Sequence, residues 1–272
     1  VIGHGRPPRF SPSARLVRID IDPTEANAGG ANIALGICAD ARVALTQLTE
    51  ALRGKNTPAR FAEWRGRLSK GDRDRIAANE EKLSNPQTPI HPLRLCKEVR
   101  DFMDRDAIVV VDGQEILNFG RQSINTFFPG HRLNSGPFGT MGVGLPFGVG
   151  AKAAKPDAQV IVLHGDGSFG LNAMELDTAV RHKLPILVVI SLNGGWTADP
   201  DGKKPGRQLG YTRFDKMAEA LGCYAEYVED PEAIRPALER AKRAVAEGKV
   251  ALVNVVTDNK ARAQTADFTA YT

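Results

Sequence analysis

From residue 90 onward, short apolar runs alternate with longer mixed stretches. The β-branched run Ile108 to Val111 is followed by strand-length apolar segments near 160–164, 186–191, 223–228 and 250–256. Between them lie helix-length segments near 142–154, 171–182, 213–221 and 232–246, and Pro92 opens an earlier helix carrying Leu95, Val99 and Met103. Such alternation predicts an α/β fold with a doubly wound parallel sheet, because a parallel crossover needs a helix and helices on both faces leave the strands no wet side. Two local signals mark boundaries. Thr212 and Asp215 have capping-box spacing with Asp in place of Glu, and Asp230 precedes a proline at a first helical turn.

Upstream the pattern changes. Arg15 to Ile21 alternates apolar and charged residues and stops at Asp22-Pro23, as a strand that exits into a turn does; Ile33 to Cys38 reads as a second strand. Asp40 offers an N-cap to a helix with Leu45, Leu48 and Leu52 at spacings of three and four. Residues 1–54 therefore read as the end of one αβ domain, and residues 55–89, dense in charge, as a linker with a solvent-facing helix around Ala59 to Leu83. Residues 90–257 form the main domain and the polar, aperiodic 258–272 a tail. The chain opens on Val, already inside a domain pattern, so a longer polypeptide with a further N-terminal segment is expected.

Composition adds limits. The 272 residues are 42% hydrophobic and 25% charged, an ordinary globular balance that suggests one or two domains. A net charge of +4 is scattered among acids with no basic patch interleaved with aromatics, so no nucleic-acid partner is expected. The apolar runs are strand-sized, well short of a membrane span, and no signal peptide opens the chain. Cys38, Cys96 and Cys223 are far apart and lack metal-ligand spacing, which reads as buried thiols in a reducing compartment and a cytoplasmic location.

The candidate chemistry sits at strand ends. Gly165-Asp166-Gly167-Ser168 ends one apolar run, and Asn193-Gly194-Gly195 ends the next, 27 positions on from Asp to Asn, room for one helical crossover. A carboxylate and an amide oxygen thus reach the same edge of the sheet, where open α/β folds bind ligands. Gly-Asp-Gly alone is also a tight-turn signature; paired with Asn193 it describes an oxygen site for a hard cation such as Mg²⁺. That ion commonly binds one or two protein groups plus phosphate oxygens, and Gly167, Ser168 and the following helix offer N–H groups to the same phosphate. His164, just before the motif, reads as a packed core imidazole. Gly144 and Gly148, one helical turn apart, permit close approach of another element, while Pro146 and the glycine spacing spoil a dinucleotide fingerprint.

The GDGS element, a helix, a strand and then Asn form a pattern that resembles the binding motif of thiamine-diphosphate (ThDP) enzymes. Ser135-Gly-Pro-Phe-Gly-Thr-Met-Gly-Val-Gly-Leu-Pro146 is similar to the segment that holds the aminopyrimidine in that family, so two motifs agree in order over residues 90–257. The resemblance implies ThDP and Mg²⁺ as cofactors, the main domain as a pyrophosphate-binding domain, and residues 1–54 as the end of a Rossmann-like middle domain. Asp166 and Asn193 are then metal ligands by side chain and Gly195 by its carbonyl; Leu192 stands where the family has a first Asn. Met141, which as a flexible residue also serves as core filling, is implied to bend the cofactor, with the carbonyls near Gly139 and Met141 holding its amino group. Gln114 and Glu115, a polar first turn on their own terms, are implied to face diphosphate and substrate, with Glu115 handling a proton. Trp196 and Thr197 fit either packing or substrate contact.

Two branches of the family compete. Acetolactate synthases continue after the metal Asn with a Gln-His type sequence, whereas Asn193-Gly-Gly-Trp-Thr197 is closer to the oxalyl-CoA decarboxylase and 2-hydroxyacyl-CoA lyase branch. The expectation is a lyase that cleaves, or reversibly forms, the C1–C2 bond of a 2-hydroxyacyl-CoA and gives formyl-CoA with an aldehyde or ketone. Acetolactate synthase-like condensation of 2-oxo acids is the alternative, and a binding half without catalytic competence is another. In the first, Lys260 and Arg262 meet CoA phosphates; a frayed terminus is the other reading of that tail. The resemblance also implies that a Glu on a separate pyrimidine-binding domain activates the cofactor and that the whole enzyme is a homodimer or homotetramer.

Overall fold

A computed structural model describes residues 11, 13–28, 33–55, 58–196 and 203–263. They fall into two compact units, divided between Arg75 and Ile76. In the first, β1 (Leu16–Asp20), α1 (Pro23–Asn27), β2 (Ile33–Cys38) and α2 (Ala41–Ala51) follow in order, and β1 pairs with β2 in parallel. Both helices begin where the sequence supplies a cap: Asp22 accepts from Thr24 N at 2.7 Å and Asp40 from Val43 N at 3.0 Å. A 3₁₀ turn, Pro58–Phe61, precedes α3 (Ala62–Leu83), the helix expected in the charged segment. Cys38 departs from the reading of the cysteines as buried, since it is exposed; Cys96 and Cys223 are buried.

The second unit is a six-stranded parallel sheet. Its elements are α4 (Pro92–Phe102), β3 (Ile108–Asp112), α5 (Glu115–Ser123), β4 (Arg132–Leu133), α6 (Gly144–Ala154), β5 (Val160–Gly165), α7 (Asp166–Leu171), α8 (Glu175–Arg181), β6 (Leu187–Leu192), α9 (Phe214–Ala220), β7 (Tyr224–Val228), α10 (Ile234–Ala246) and β8 (Ala251–Val256). The strand order is β4-β3-β5-β6-β8-β7. The alternation of the pleat sorts the apolar runs into two cores. Val109, Val111, Ile161, Leu163, Val189 and Val253 pack on one side with Leu95, Val99 and Leu238 of α4 and α10. Val110, Val162, Val188, Ile190 and Leu252 pack on the other with Leu145, Leu176 and Ala218 of α6, α8 and α9. A fully buried Val, Leu or Ile contributes about 1.5–3 kcal/mol, which is why runs with no polar alternation are stable only in this two-sided setting.

Two expectations change. The helix expected over 171–182 is confined to α8, Glu175–Arg181, and a separate short helix, α7, precedes it; between them Asn172 leaves helical geometry and its side chain donates to Gly142 O at 2.8 Å. The capping box at Thr212 is not formed: α9 starts after Arg213, whose guanidinium forks onto the buried Asp215 carboxylate at 2.9 and 2.6 Å. Asp230 does cap, accepting from Glu232 N at 2.9 Å. The close approach expected of α6 is present. A Cβ on Gly144 would lie 2.6 Å from both Asp112 Cβ and His164 Cε1, and one on Gly148 would lie 2.4 Å from Val162 Cγ2.

Candidate active site at the strand switch point

From β3 the chain runs outward to β4, then returns through α6 to β5 on the other side of β3. The crevice of an open α/β sheet forms where strand order reverses in this way, beyond the carboxyl ends of the strands. Here it is an open cleft between the ends of β3, β5 and β6. Gly113, Gln114 and Glu115 come to it from β3; Gly165, Asp166, Gly167 and Ser168 from β5; Asn193, Gly195 and Trp196 from β6; Met141 from the loop before α6. Gly139 lies in that same loop, exposed and outside the cleft lining, and Thr197 lies outside the described residues.

Asp166 is the most constrained group. It is 4% exposed, and its two oxygens accept from Gly167 N at 2.8 Å and Gly194 N at 2.7 Å. Burial raises its carboxyl to about 6 against the opposing pull of these N–H groups. The Gly194 bond ties the Asp166 loop to the residue beside Asn193, whose own Oδ1 accepts from Gly195 N at 3.2 Å. A carboxylate has roughly four lone-pair sites, so Asp166 keeps acceptor capacity toward the cleft. Among the described residues no group of three or more His, Cys, Asp or Glu side chains is placed to hold a metal. The donors gathered here are carboxylate, amide and carbonyl oxygens, a set that fits a hard cation sharing phosphate oxygens and not a soft one.

Below this layer, His164 is fully buried and burial lowers its pKa to about 3, so the ring is neutral. Ser168 Oγ sits 3.0 Å from the carbonyls of Asp112 and Gly165, either of which can accept its one hydrogen, and 3.1 Å from His164 Nδ1. With that hydrogen on a carbonyl, Ser168 Oγ accepts from Nδ1–H, the tautomer this arrangement favours. Nε2 is then a buried acceptor with no partner among the described residues, against Gly144. The core reading of His164 agrees with this placement.

The walls are formed by residues with less legible signals. Trp196 lies flat enough on Gly167 that a Cβ there would meet its ring at 2.8–3.0 Å, so the indole both packs and lines the cleft. Glu115, first residue of α5, accepts from Ala263 N at 2.9 Å, which brings the start of the C-terminal tail to the rim. Arg262 turns back onto the carbonyls of Asn259 and Ala261 at 2.8 Å each. Arg207, Ser191 and Asp258 also line the cleft and were not singled out by sequence. Arg207 arrives only because its carbonyl accepts from Trp196 N at 2.7 Å and Gly195 bridges Gln208, pairings that no local pattern encodes.

Comparison with known proteins agrees with this geometry. Residues 118–255, about half of the chain, match the family described as thiamine pyrophosphate enzyme, C-terminal TPP binding domain. The chain belongs to the thiamine-diphosphate enzymes. More particularly, it is 41% identical over 187 residues to the acetolactate synthase large subunit of Mycobacterium tuberculosis, covering 65% of this chain and 33% of that protein. It is 30% identical over 279 residues to 2-hydroxyacyl-CoA lyase of Oryza sativa (96% and 47%) and 28% over 292 residues to human 2-hydroxyacyl-CoA lyase 1 (98% and 49%). A solved ThDP-dependent 4-hydroxybenzoylformate decarboxylase of Rhodococcus jostii superposes with a TM-score of 0.57 at 29% identity, covering 63% of this chain and 33% of that one. The chain spans about a third to a half of the length of these relatives.

Proposed function

We propose that this chain is the cofactor-binding part of a ThDP- and Mg²⁺-dependent carbon–carbon lyase. Its substrate is a 2-hydroxyacyl-CoA and its products are formyl-CoA and an aldehyde or ketone. The observation that carries the reading is the single cleft in which Asp166, Asn193 and Gly195 stand beside Glu115 and Met141. When bound, ThDP supplies a nucleophilic carbon and an electron sink for breaking the bond next to a carbonyl. Asp166 and Asn193 hold the cation by side chain and Gly195 by carbonyl, while Gly167 and Ser168 line the diphosphate end. Met141 would pack against the bound cofactor, and Gln114 and Glu115 would face its reacting end, where Glu115 would handle a proton. Trp196 closes one wall against water and orients the substrate.

The acyl-CoA assignment is supported by the Asn193-Gly-Gly-Trp196 sequence and by lyase relatives that align over nearly the whole chain. Lys260 and Arg262 are exposed and flank Ala261 of the cleft lining, and we assign them to the CoA phosphates. A second reading, acetolactate synthase-like condensation of 2-oxo acids, is favoured by the 41% identity over a shorter span. In either case the catalytic unit includes a pyrimidine-binding domain from an N-terminal segment, in a homo-oligomer located in the cytoplasm. The full-length protein incubated with ThDP, Mg²⁺ and 2-hydroxyacyl-CoAs is expected to release formyl-CoA. Acetolactate from pyruvate with no formyl-CoA would select the second reading.

A further inference from the structure

Outside the groups already given a role, Asp112 stands out. It is a carboxylate 3% exposed, at the end of β3, with the neutral ring of His164 beside it, Nδ1 lying 3.8 Å from Oδ2. One oxygen, Oδ2, accepts from both Gly142 N at 2.9 Å and Gly144 N at 2.8 Å. Its main-chain carbonyl accepts from Ser168 Oγ at 3.0 Å. From the opposite side, Asn172 Nδ2 donates to Gly142 O at 2.8 Å. Gly142 has φ +90° and a Cβ there would meet Leu171 Cβ at 2.9 Å, so the turn that carries Met141 is seated in a slot closed on two sides.

We infer that Asp112 and Asn172 are positioning residues that set the height of the Met141 turn relative to the diphosphate end of the cleft. This rests on the ThDP site proposed above. Asp112 joins the two ends through one residue: its carbonyl is fixed by the helix start that follows Asp166, and its carboxylate grips the turn before α6. Charge-assisted bonds to backbone N–H groups are about twice as strong as neutral ones and directional, so the carboxylate resists sliding of Met141 along the cleft. Misplacement by an ångström at such a contact costs rate far more than affinity.

The test uses the full-length enzyme with ThDP and Mg²⁺. Three quantities are read for wild type, Asp112→Asn and Asn172→Ala: ThDP affinity, deuterium exchange at the thiazolium C2 of bound ThDP, and the near-ultraviolet circular dichroism of the bound aminopyrimidine. Asn172 is exposed, so its replacement by Ala removes little buried contact and keeps the inference testable where the Asp112 variant fails to fold. Loss of one such bond is expected to slow C2 exchange and turnover by roughly tenfold. ThDP affinity should change less than threefold, and the aminopyrimidine signal should be altered in both variants. Exchange and dichroism at wild-type values in folded Asn172→Ala would overturn the inference, as would equal losses in affinity and exchange. Wild type that binds no ThDP would overturn the proposed site itself, a result distinct from either.

Discussion

The same glycine-to-alanine change at two positions of α6 is expected to have opposite consequences. Gly148 and Gly150 both lie in the interior of Gly144–Ala154, so each substitution gains the same helix propensity, about 1 kcal/mol. At Gly150 a Cβ meets nothing within 4 Å, and Gly150→Ala should stabilise by about that amount. At Gly148 the Cβ would lie 2.4 Å from Val162 Cγ2, against an optimal carbon separation of about 3.5–4.0 Å. Val162 is fully buried in β5 between paired strands, and its β-branched side chain has little freedom at χ1, so relief requires backbone movement. Overpacking of this kind costs about 1–3 kcal/mol, and an overlap above 1 Å falls at the upper end. The helix term cancels in the comparison, leaving Gly148→Ala less stable than Gly150→Ala by about 3 kcal/mol. With a urea slope of about 1–3 kcal/mol/M, the midpoints should differ by roughly 1 M or more. Because Asp166 directly follows β5, Gly148→Ala should also weaken ThDP binding while Gly150→Ala leaves it intact. Equal midpoints, or a Gly148→Ala protein as stable as wild type, would refute the close-packing argument.

Three other outcomes are expected. Asp166→Asn should reduce Mg²⁺-dependent ThDP retention by at least about 10–100-fold, since even outer-shell changes at metal sites cost that much; titration calorimetry with and without a chelator checks it, and chelator-independent binding in wild type would contradict the cation site. Glu115→Gln should lower turnover more than ThDP affinity, and unchanged kcat would remove Glu115 from proton handling. Of the three thiols, Cys38 alone is exposed, while burial pushes Cys96 up to about 12 and Cys223 to about 11. An aromatic disulfide reagent should therefore titrate one thiol in the native protein and all three after unfolding; two or more fast thiols would show a looser core.

Features that depend on period and on strand ends could be read from the order of residues alone. Runs such as Ile161-Val162-Leu163 have no polar alternation, and only a sheet covered on both faces satisfies them. The pairing of Asp166 with Asn193 was legible because each stands within three residues of the end of an apolar run, and adjacent parallel strands end at the same edge. Tertiary structure decided what depends on contacts between distant segments. The break between α7 and α8 is set by the bond from Asn172 to Gly142, 30 residues away, and the tautomer of His164 by Ser168 and two carbonyls. Arg207 reaches the cleft through backbone pairing with Gly195 and Trp196. Asp112 looks like an ordinary strand-terminal Asp until Gly142 and Gly144 are folded against its carboxylate. Periodicity reports which face a residue occupies, but a hydrogen bond across the fold depends on where two faces meet, and that is fixed only once the sheet and its helices have packed.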